Sequence, residues 1–242
     1  MTTVVAFNVA REPAAARILA DGSVIWPSRK LPPAEDDHAA LSAAVVLADG
    51  GELVGVTLGQ GDPVWAAARG TTRVLRISDV VVGDDDSATA AALAAAVAEV
   101  DGADLVVLGD SEHHPGLAPA LAGHLGWPCV LAAAAAARVG EGVEVTRRIG
   151  GVEETISARL PVVIAIVAEG EETSPPGMKT MLAARRLPVL DLVATDLALE
   201  PVPPLEPVQT RPPSSAAARL FDGDPQQAVG ELIKALRSEG VL

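Results

Sequence analysis

Asp104-Leu105-Val106-Val107-Leu108-Gly109-Asp110-Ser111-Glu112-His113-His114-Pro115-Gly116-Leu117-Ala118-Pro119-Ala120-Leu121-Ala122-Gly123-His124-Leu125 is the stretch that decides the architecture. Asp104–Leu108 runs apolar without alternation, as a strand buried on both faces does. Leu117–Leu125 has the composition of a helix, and Gly126 followed by Pro128 stops it. Upstream, Ala88–Val100 is an alanine-dense helix. A helix, a buried strand and a second helix in succession predict a parallel sheet with helices packed on it.

Working outward toward the N-terminus, Thr3–Val9, Glu52–Leu58 and Arg73–Ile77 read as further strands. Between them lie a helix over Glu35–Ala48, whose acidic start suits a helix N-terminus, and a short helix over Pro63–Ala68. Toward the C-terminus the period changes after Ala137. Val143–Ile149 and Glu154–Leu160 alternate around Gly150-Gly151, which predicts a hairpin, and Val162–Val167 is one more buried strand. Pro201–Pro213 holds six prolines, too many for a helix or a central strand, and is expected to be an extended arm. Asp224-Pro225 then opens a helix with Ala228, Leu232, Ala235 and Leu236 on one face. That helix either wraps a partner or folds back on its own domain. The expected organisation is an α/β domain over residues 1–200 and an arm with its helix over residues 201–242.

Composition narrows the function classes. The chain has 242 residues, 49% of them apolar, enough for a packed core. No run of eighteen apolar residues occurs, so no membrane insertion is expected, and the start at Met1-Thr2-Thr3-Val4-Val5 reads as a strand, not a leader. A net charge of −14 disfavours nucleic acid, and Phe7 and Phe221, with no tyrosine, offer no platform for stacked bases. Cys129 is the single cysteine, which fits the reducing cytoplasm.

Three motifs invite chemistry. Gly109-Asp110-Ser111 after a strand resembles the start of a GDS-type esterase, but the histidines are His38, His113, His114 and His124 and none follows residue 124 to act as the downstream base. Glu112, His113 and His114 lack a second cluster of ligands at metal spacing. Gly59-Gln60-Gly61 hints at a dinucleotide loop, yet position 64 is Val64 where the fingerprint needs glycine. What remains is a crest beyond the strand ends, built from Asn8–Pro13, Leu58–Asp62 and Gly109–Gly116, without a conventional catalytic constellation. A carrier needs a positioned cofactor and a docking surface, not a general base.

Several blocks, in order, resemble the β subunit of electron transfer flavoproteins, the FixA-like family. They are Leu125-Gly126-Trp127-Pro128, the hairpin Val145–Ile156, Leu160-Pro161-Val162-Val163, and Ser174-Pro175-Pro176-Gly177-Met178-Lys179-Thr180-Met181-Leu182-Ala183-Ala184-Arg185-Arg186-Leu187-Pro188. The resemblance implies a Rossmann-like, doubly wound, mostly parallel α/β sheet of the adenine-nucleotide-binding kind, with a hairpin excursion and a C-terminal arm. It also implies a heterodimer with an electron transfer flavoprotein α subunit that holds most of the FAD, and a flavin-dependent dehydrogenase as electron donor. On that pattern Met178 stands at the anchor for the dehydrogenase, a role a flexible thioether suits. Met181, Arg147 and Glu154 fall in the same partner-facing blocks. Arg185 and Arg186 either steer acidic partners or cap a short helix.

Cofactor contacts would fall on Ala6, Asn8, Asp36, Gly59, Gly109, Asp110, Ser111, Gly116, Leu117 and Ala118. Asp36 takes the place of the aromatic that approaches the flavin, and its charge would disfavour added negative charge there. The family's AMP loop is shortened here, and Gly116, Leu117 and Ala118 stand where its phosphate-binding residues would be. A helix N-terminus still receives phosphate, whereas Asp110 and Glu112 repel it. The rival reading keeps the fold but makes the chain a nucleotide-binding regulatory protein without redox work.

Overall fold

The computed structural model describes residues 2–8, 16–19, 21–25, 33–80, 85–112, 114–168, 175–197, 199 and 218–242. The strands are β1 (Thr2–Ala6), β2 (Arg17–Ile18), β3 (Val24–Ile25), β4 (Glu52–Leu58), β5 (Arg73–Ile77), β6 (Ala103–Gly109), β7 (Cys129–Val139), β8 (Gly142–Ile149), β9 (Val152–Arg159), β10 (Val162–Ile166) and β11 (Val189–Leu192). The helices are α1 (Glu35–Ala48), α2 (Pro63–Ala67), α3 (Asp86–Ala98), α4 (Leu117–Leu125), α5 (Met178–Ala184) and α6 (Pro225–Ser238).

The large sheet runs β11-β5-β4-β1-β6-β10-β7-β8-β9. From β11 to β7 every neighbour is parallel, while β7, β8 and β9 form an antiparallel extension. Alternate side chains of the parallel strands feed two cores. Val4, Val54, Val56, Leu75, Val106 and Val163 meet α3 and α4 through Leu93, Val97 and Leu121. Val5, Phe7, Leu53, Leu105, Val107 and Ile164 meet α1 and α2 through Leu41, Leu47 and Trp65. Helices therefore cover both faces, and the sheet is doubly wound, as the apolar strand runs predict.

Chain order reverses between β1 and β6. β1 leads by α1 to β4 on one side, while β6 leads by α4 toward β7 on the other. In open α/β sheets that reversal opens a crevice outside the strand carboxyl ends, which is where ligands bind.

Local signals start and stop the helices. Asp62 accepts the Val64 amide with Pro63 in the first turn of α2, and Asp85 accepts the Ser87 and Ala88 amides at α3. α1 ends on Asp49 in the left-handed region, and its last carbonyls meet a distant partner, the Arg138 guanidinium donating to Leu47 O. β8 and β9 turn at Gly150 and Gly151, both at positive φ, as a two-residue hairpin requires. Strand β7 had no counterpart in the sequence reading; it carries the alanine run into the sheet.

A second unit comprises residues 17–25 and 207–242. In it β2 and β3 pair antiparallel, and α6 starts on Asp224 and Pro225 with Ala228, Ala235 and Leu236 half-buried and Leu232 exposed. The proline-rich segment 201–213 and residues 9–13 of the crest lie outside the described residues.

Candidate functional site

The site is built where the parallel strands end. Ala6 closes β1 and is buried in the α3/α4 core. Asn8 follows, and its backbone N–H donates to Asp37 Oδ2 at 3.2 Å. Asp37 belongs to the first turn of α1, so the helix N-terminus is pressed into the crevice between β1 and β6. Gly109, the last residue of β6, is the contact point. A Cβ there would sit 2.8 Å from the Asp36 backbone, so only glycine lets α1 approach.

Four carboxylates on this crest each accept a backbone amide. Besides Asp37, Asp36 Oδ1 accepts Ala168 N–H at 2.8 Å just beyond β10. Asp110 Oδ2 accepts Ala132 N–H at 2.7 Å. Ala132 has φ 55°, the irregular point of β7, so Asp110 holds a bulge in place. Asp86 bridges two groups: its Oδ1 lies 2.7 Å from His114 Nδ1 and its Oδ2 accepts the Gly116 amide at 2.9 Å. Gly116 is the cap of α4, and no side chain of its own caps it.

Crowded carboxylates in a poorly solvated crevice resist ionisation. Burial pushes Asp37 up to about 7, against the hydrogen bonds it accepts and with Asp36 adding to the rise. Asp36 is raised by burial, opposed by the Ala168 amide and reinforced by Asp110, Glu35 and Glu112.

Beside this crest, a cleft of about 640 Å³ opens between α1 and the β7 bulge, lined by Glu35, His38, Ser42, Val46, Ala135 and Ala168. His38 stands edge-on to Trp65 with ring centroids 5.0 Å apart, and Arg69 lies over the same indole at 4.9 Å. Burial, then the Arg69 charge, lowers the His38 pKa. Sequence reasoning passed over Asp37, Asp86, His38 and Trp65 as site residues. The Trp65–Arg69 spacing of four, from α2 into the turn that follows it, was a usable signal, whereas Asp86 meets Gly116 across thirty residues and gives no local sign.

The other predicted residues fall into place around the crest. Gly59 has φ 52°, and a Cβ on it would lie 2.5 Å from the Val80 carbonyl, so this turn is roofed by backbone. Ser111 is half-buried and accepts the His114 amide through its carbonyl. Leu117 N–H donates to His114 O, and Ala118 is buried. His113 lies outside the described residues, and among the described residues no group of three His, Cys, Asp or Glu could hold a metal ion.

On α5, which packs against α2 and leads to the edge strand β11, Met178 is the first residue and has 81% of its surface exposed, and Arg185 and Arg186 are exposed at the helix end. Met181 instead packs with Val64 and Leu187 against Ala67, Ala68 and Ala184. On the hairpin Arg147 and Glu154 face each other across β8 and β9 and pair at 2.7 Å.

The chain matches the electron transfer flavoprotein domain over residues 29–197, which takes in α1, every parallel strand after β1, the hairpin and α5. The chain belongs to the electron transfer flavoprotein family. It is 29% identical over 127 residues to the electron transfer flavoprotein subunit beta of Bacillus subtilis, covering 51% of this chain and 49% of that protein. It is 30% identical over 157 residues to the probable electron transfer flavoprotein subunit beta of Schizosaccharomyces pombe, covering 63% and 59%. The match thus spans about half to three-fifths of the length of the curated relatives. Within the family this chain is β-like, and no helix among its described residues is long and apolar enough to cross a membrane.

The family implies AMP, and the residues present do not fit its phosphate. The Gly116 and Leu117 amides at the start of α4 are already bonded, and Pro119 has no N–H to offer.

Proposed function

We propose that this chain is the β-type subunit of a heterodimeric electron transfer flavoprotein. It pairs with an α-type subunit that holds most of the FAD, takes electrons from a flavin-dependent dehydrogenase of the acyl-CoA or a more specialised type, and passes them to a downstream acceptor in the cytoplasm. The family match across residues 29–197 carries this reading. Its role is to position and dock; the dehydrogenase does the bond-breaking.

Two features support the division of labour. The α1 N-terminus with Asp36 and the adjoining cleft give a surface where backbone and carboxylates are fixed in place, which suits an environment for a cofactor held by another chain. Met178, Arg185 and Arg186 stand clear of the body on α5. An adaptable apolar side chain beside two guanidinium groups suits an anchor for an acidic partner. Ala6, Asn8, Gly59, Gly109, Asp110 and Ser111 act on this reading as the scaffold behind that surface.

The test is co-expression with an α-type chain and purification through a tag on this one. A yellow one-to-one complex that releases FAD is the expected result. A colourless chain that retains no partner overturns the proposal and favours a regulatory protein of the same fold.

A further inference from the structure

The four crest carboxylates raise a question that the family resemblance does not answer: what takes the place of the nucleotide anion. A phosphate at a helix N-terminus needs free amides and a positive local field. At α4 the first-turn positions are Gly116, Leu117, Ala118 and Pro119. Gly116 N–H donates to Asp86 Oδ2 at 2.9 Å, Leu117 N–H to His114 O at 3.1 Å, and Pro119 lacks the group, which leaves Ala118 alone.

Space is closed as well as donors. A Cβ built on Gly116 would come within 2.9 Å of Asp86 Oδ2, so the carboxylate oxygen lies where a phosphate oxygen would have to lie. The two other crest turns that could cradle a nucleotide are filled. Gly59 is covered by the Val80 carbonyl, and Gly109 by α1 at Asp36. The side chains there are acidic, with Asp36, Asp37 and Asp110 each already accepting an amide. A dianion entering this crest would displace a bonded carboxylate and meet three more.

We infer that the Asp86 carboxylate is a built-in substitute for the nucleotide phosphate, so that this subunit holds no AMP. Asp86 starts α3 and reaches the cap of α4, so one side chain joins the two helices on that face. Its second oxygen on His114 Nδ1 fixes the loop between β6 and α4, the segment a nucleotide would otherwise order. A charged acceptor at an uncapped helix start is the same stabilisation that a bound phosphate gives. The inference rests on the geometry of α3 and α4 and holds whether or not the chain carries electrons.

The experiment uses the full chain, in the assembly in which it purifies. Nucleotides released on denaturation are identified by mass, and the expected adenosine monophosphate content is far below one equivalent. One equivalent overturns the inference. Melting is then followed with and without millimolar AMP or inorganic phosphate. The wild type is expected to be indifferent to both. Asp86→Ala is expected to melt roughly 3–6 °C lower and to regain part of that loss with phosphate or AMP. A wild type that rises with AMP concentration, or an Asp86→Ala chain that melts like the wild type, overturns it. Should Asp86→Ala not fold, Asp86→Asn keeps an acceptor for Gly116 without the charge. Its expected result is a smaller loss of melting temperature, and no loss counts against the inference.

Discussion

The crest of the sheet and the α5 edge are the two places where a partner would be sought, and they differ in what they leave unsatisfied. On the crest, Asp36, Asp37, Asp86 and Asp110 each accept a backbone amide. On α5, Met178 and Leu182 are 81% and 56% exposed, and Arg185 and Arg186 make no ion pair among the described residues. A surface that has already spent its donors positions what lies nearby, while a surface with exposed apolar and cationic groups has affinity left for something else. On the proposed function the crest scaffolds and α5 docks, and substitutions at the two places should then fail in different ways.

The largest effect is expected at Asp37, and it should appear in stability. Its unfolded value is near 3.9 and its folded value about 7. Between those values the native chain keeps a proton that the unfolded chain has lost, so stability falls as pH rises, by up to about 1.4 kcal/mol per pH unit. Below the lower value the contribution is fully present; above the higher it is gone. Asp37→Asn removes the titration yet keeps an acceptor for Asn8 N–H. Its melting temperature should vary less than the wild type's between about pH 4 and pH 7. Parallel profiles for the two proteins would show that Asp37 ionises normally and that the crest is wetter than its geometry indicates.

At α5 the expected loss is in coupling, with the fold spared. Met178→Asp should reduce electron transfer from the partner dehydrogenase by about 10- to 100-fold in kcat/KM, the range of an interface anchor worth about 2 kcal/mol. Its melting temperature should match the wild type's, because Met178 has little to lose on the protein's own surface. Met181→Ala is the control with the opposite signature, since Met181 packs with Val64 and Leu187 against Ala184. It should lower stability by about 1–2 kcal/mol and affect coupling only through that. If both variants lose coupling equally at unchanged stability, α5 does not divide into an anchor and a foot.

Asp36 tests the crest more gently. Asp36→Asn preserves an oxygen for Ala168 N–H while removing a charge next to the proposed flavin surface. The reduction potential of flavin in the complex should rise, on the order of tens of millivolts. An unchanged potential would mean that the carboxylate faces away from the cofactor and serves only to hold β10 against α1.

What the sequence made legible follows the same contrast between local and distant causes. Strands β1, β4, β6 and β10 were readable because a largely apolar run has few alternatives, and α1, α2 and α4 because their ends carry recognisable residues. β7 was not. Leu131–Ala137 has the composition of α3, yet α3 starts on the Asp85 cap whereas this run lies between β10 and β8. Its conformation comes from backbone partners far along the chain, and tertiary pairing overrides alanine's preference for helix. The site was half legible for the same reason. Gly109, Asp110 and Gly116 end or follow a readable strand, but the acceptor for Gly116 is Asp86, 30 residues away, and the donor to Asp110 is Ala132, 22 residues away. Asp110 read as a charge that repels phosphate, and in the fold it also fixes the bulge of β7.

The smallest expected effect belongs to the hairpin, and it separates two uses of the same residues. Arg147 and Glu154 are partner candidates by position in the chain, yet in the subunit they pair with each other at 2.7 Å, with Arg148 and Glu153 alongside at 3.0 Å. Both pairs are partly exposed, so water screens them, and a double-mutant cycle on Arg147→Ala and Glu154→Ala should give only about 0.2–1 kcal/mol of coupling in stability. The same cycle read on heterodimer affinity is the sharper measurement. If the pair only stiffens β8 against β9, the affinity coupling stays within that range. If the partner covers the hairpin, desolvation strengthens the pair, and removing one residue leaves the other charged without a partner. Single variants would then cost more in affinity than the double variant. That outcome would make the hairpin a second docking surface beside α5, and equal, small losses would leave α5 as the place where the β-type subunit keeps its free affinity.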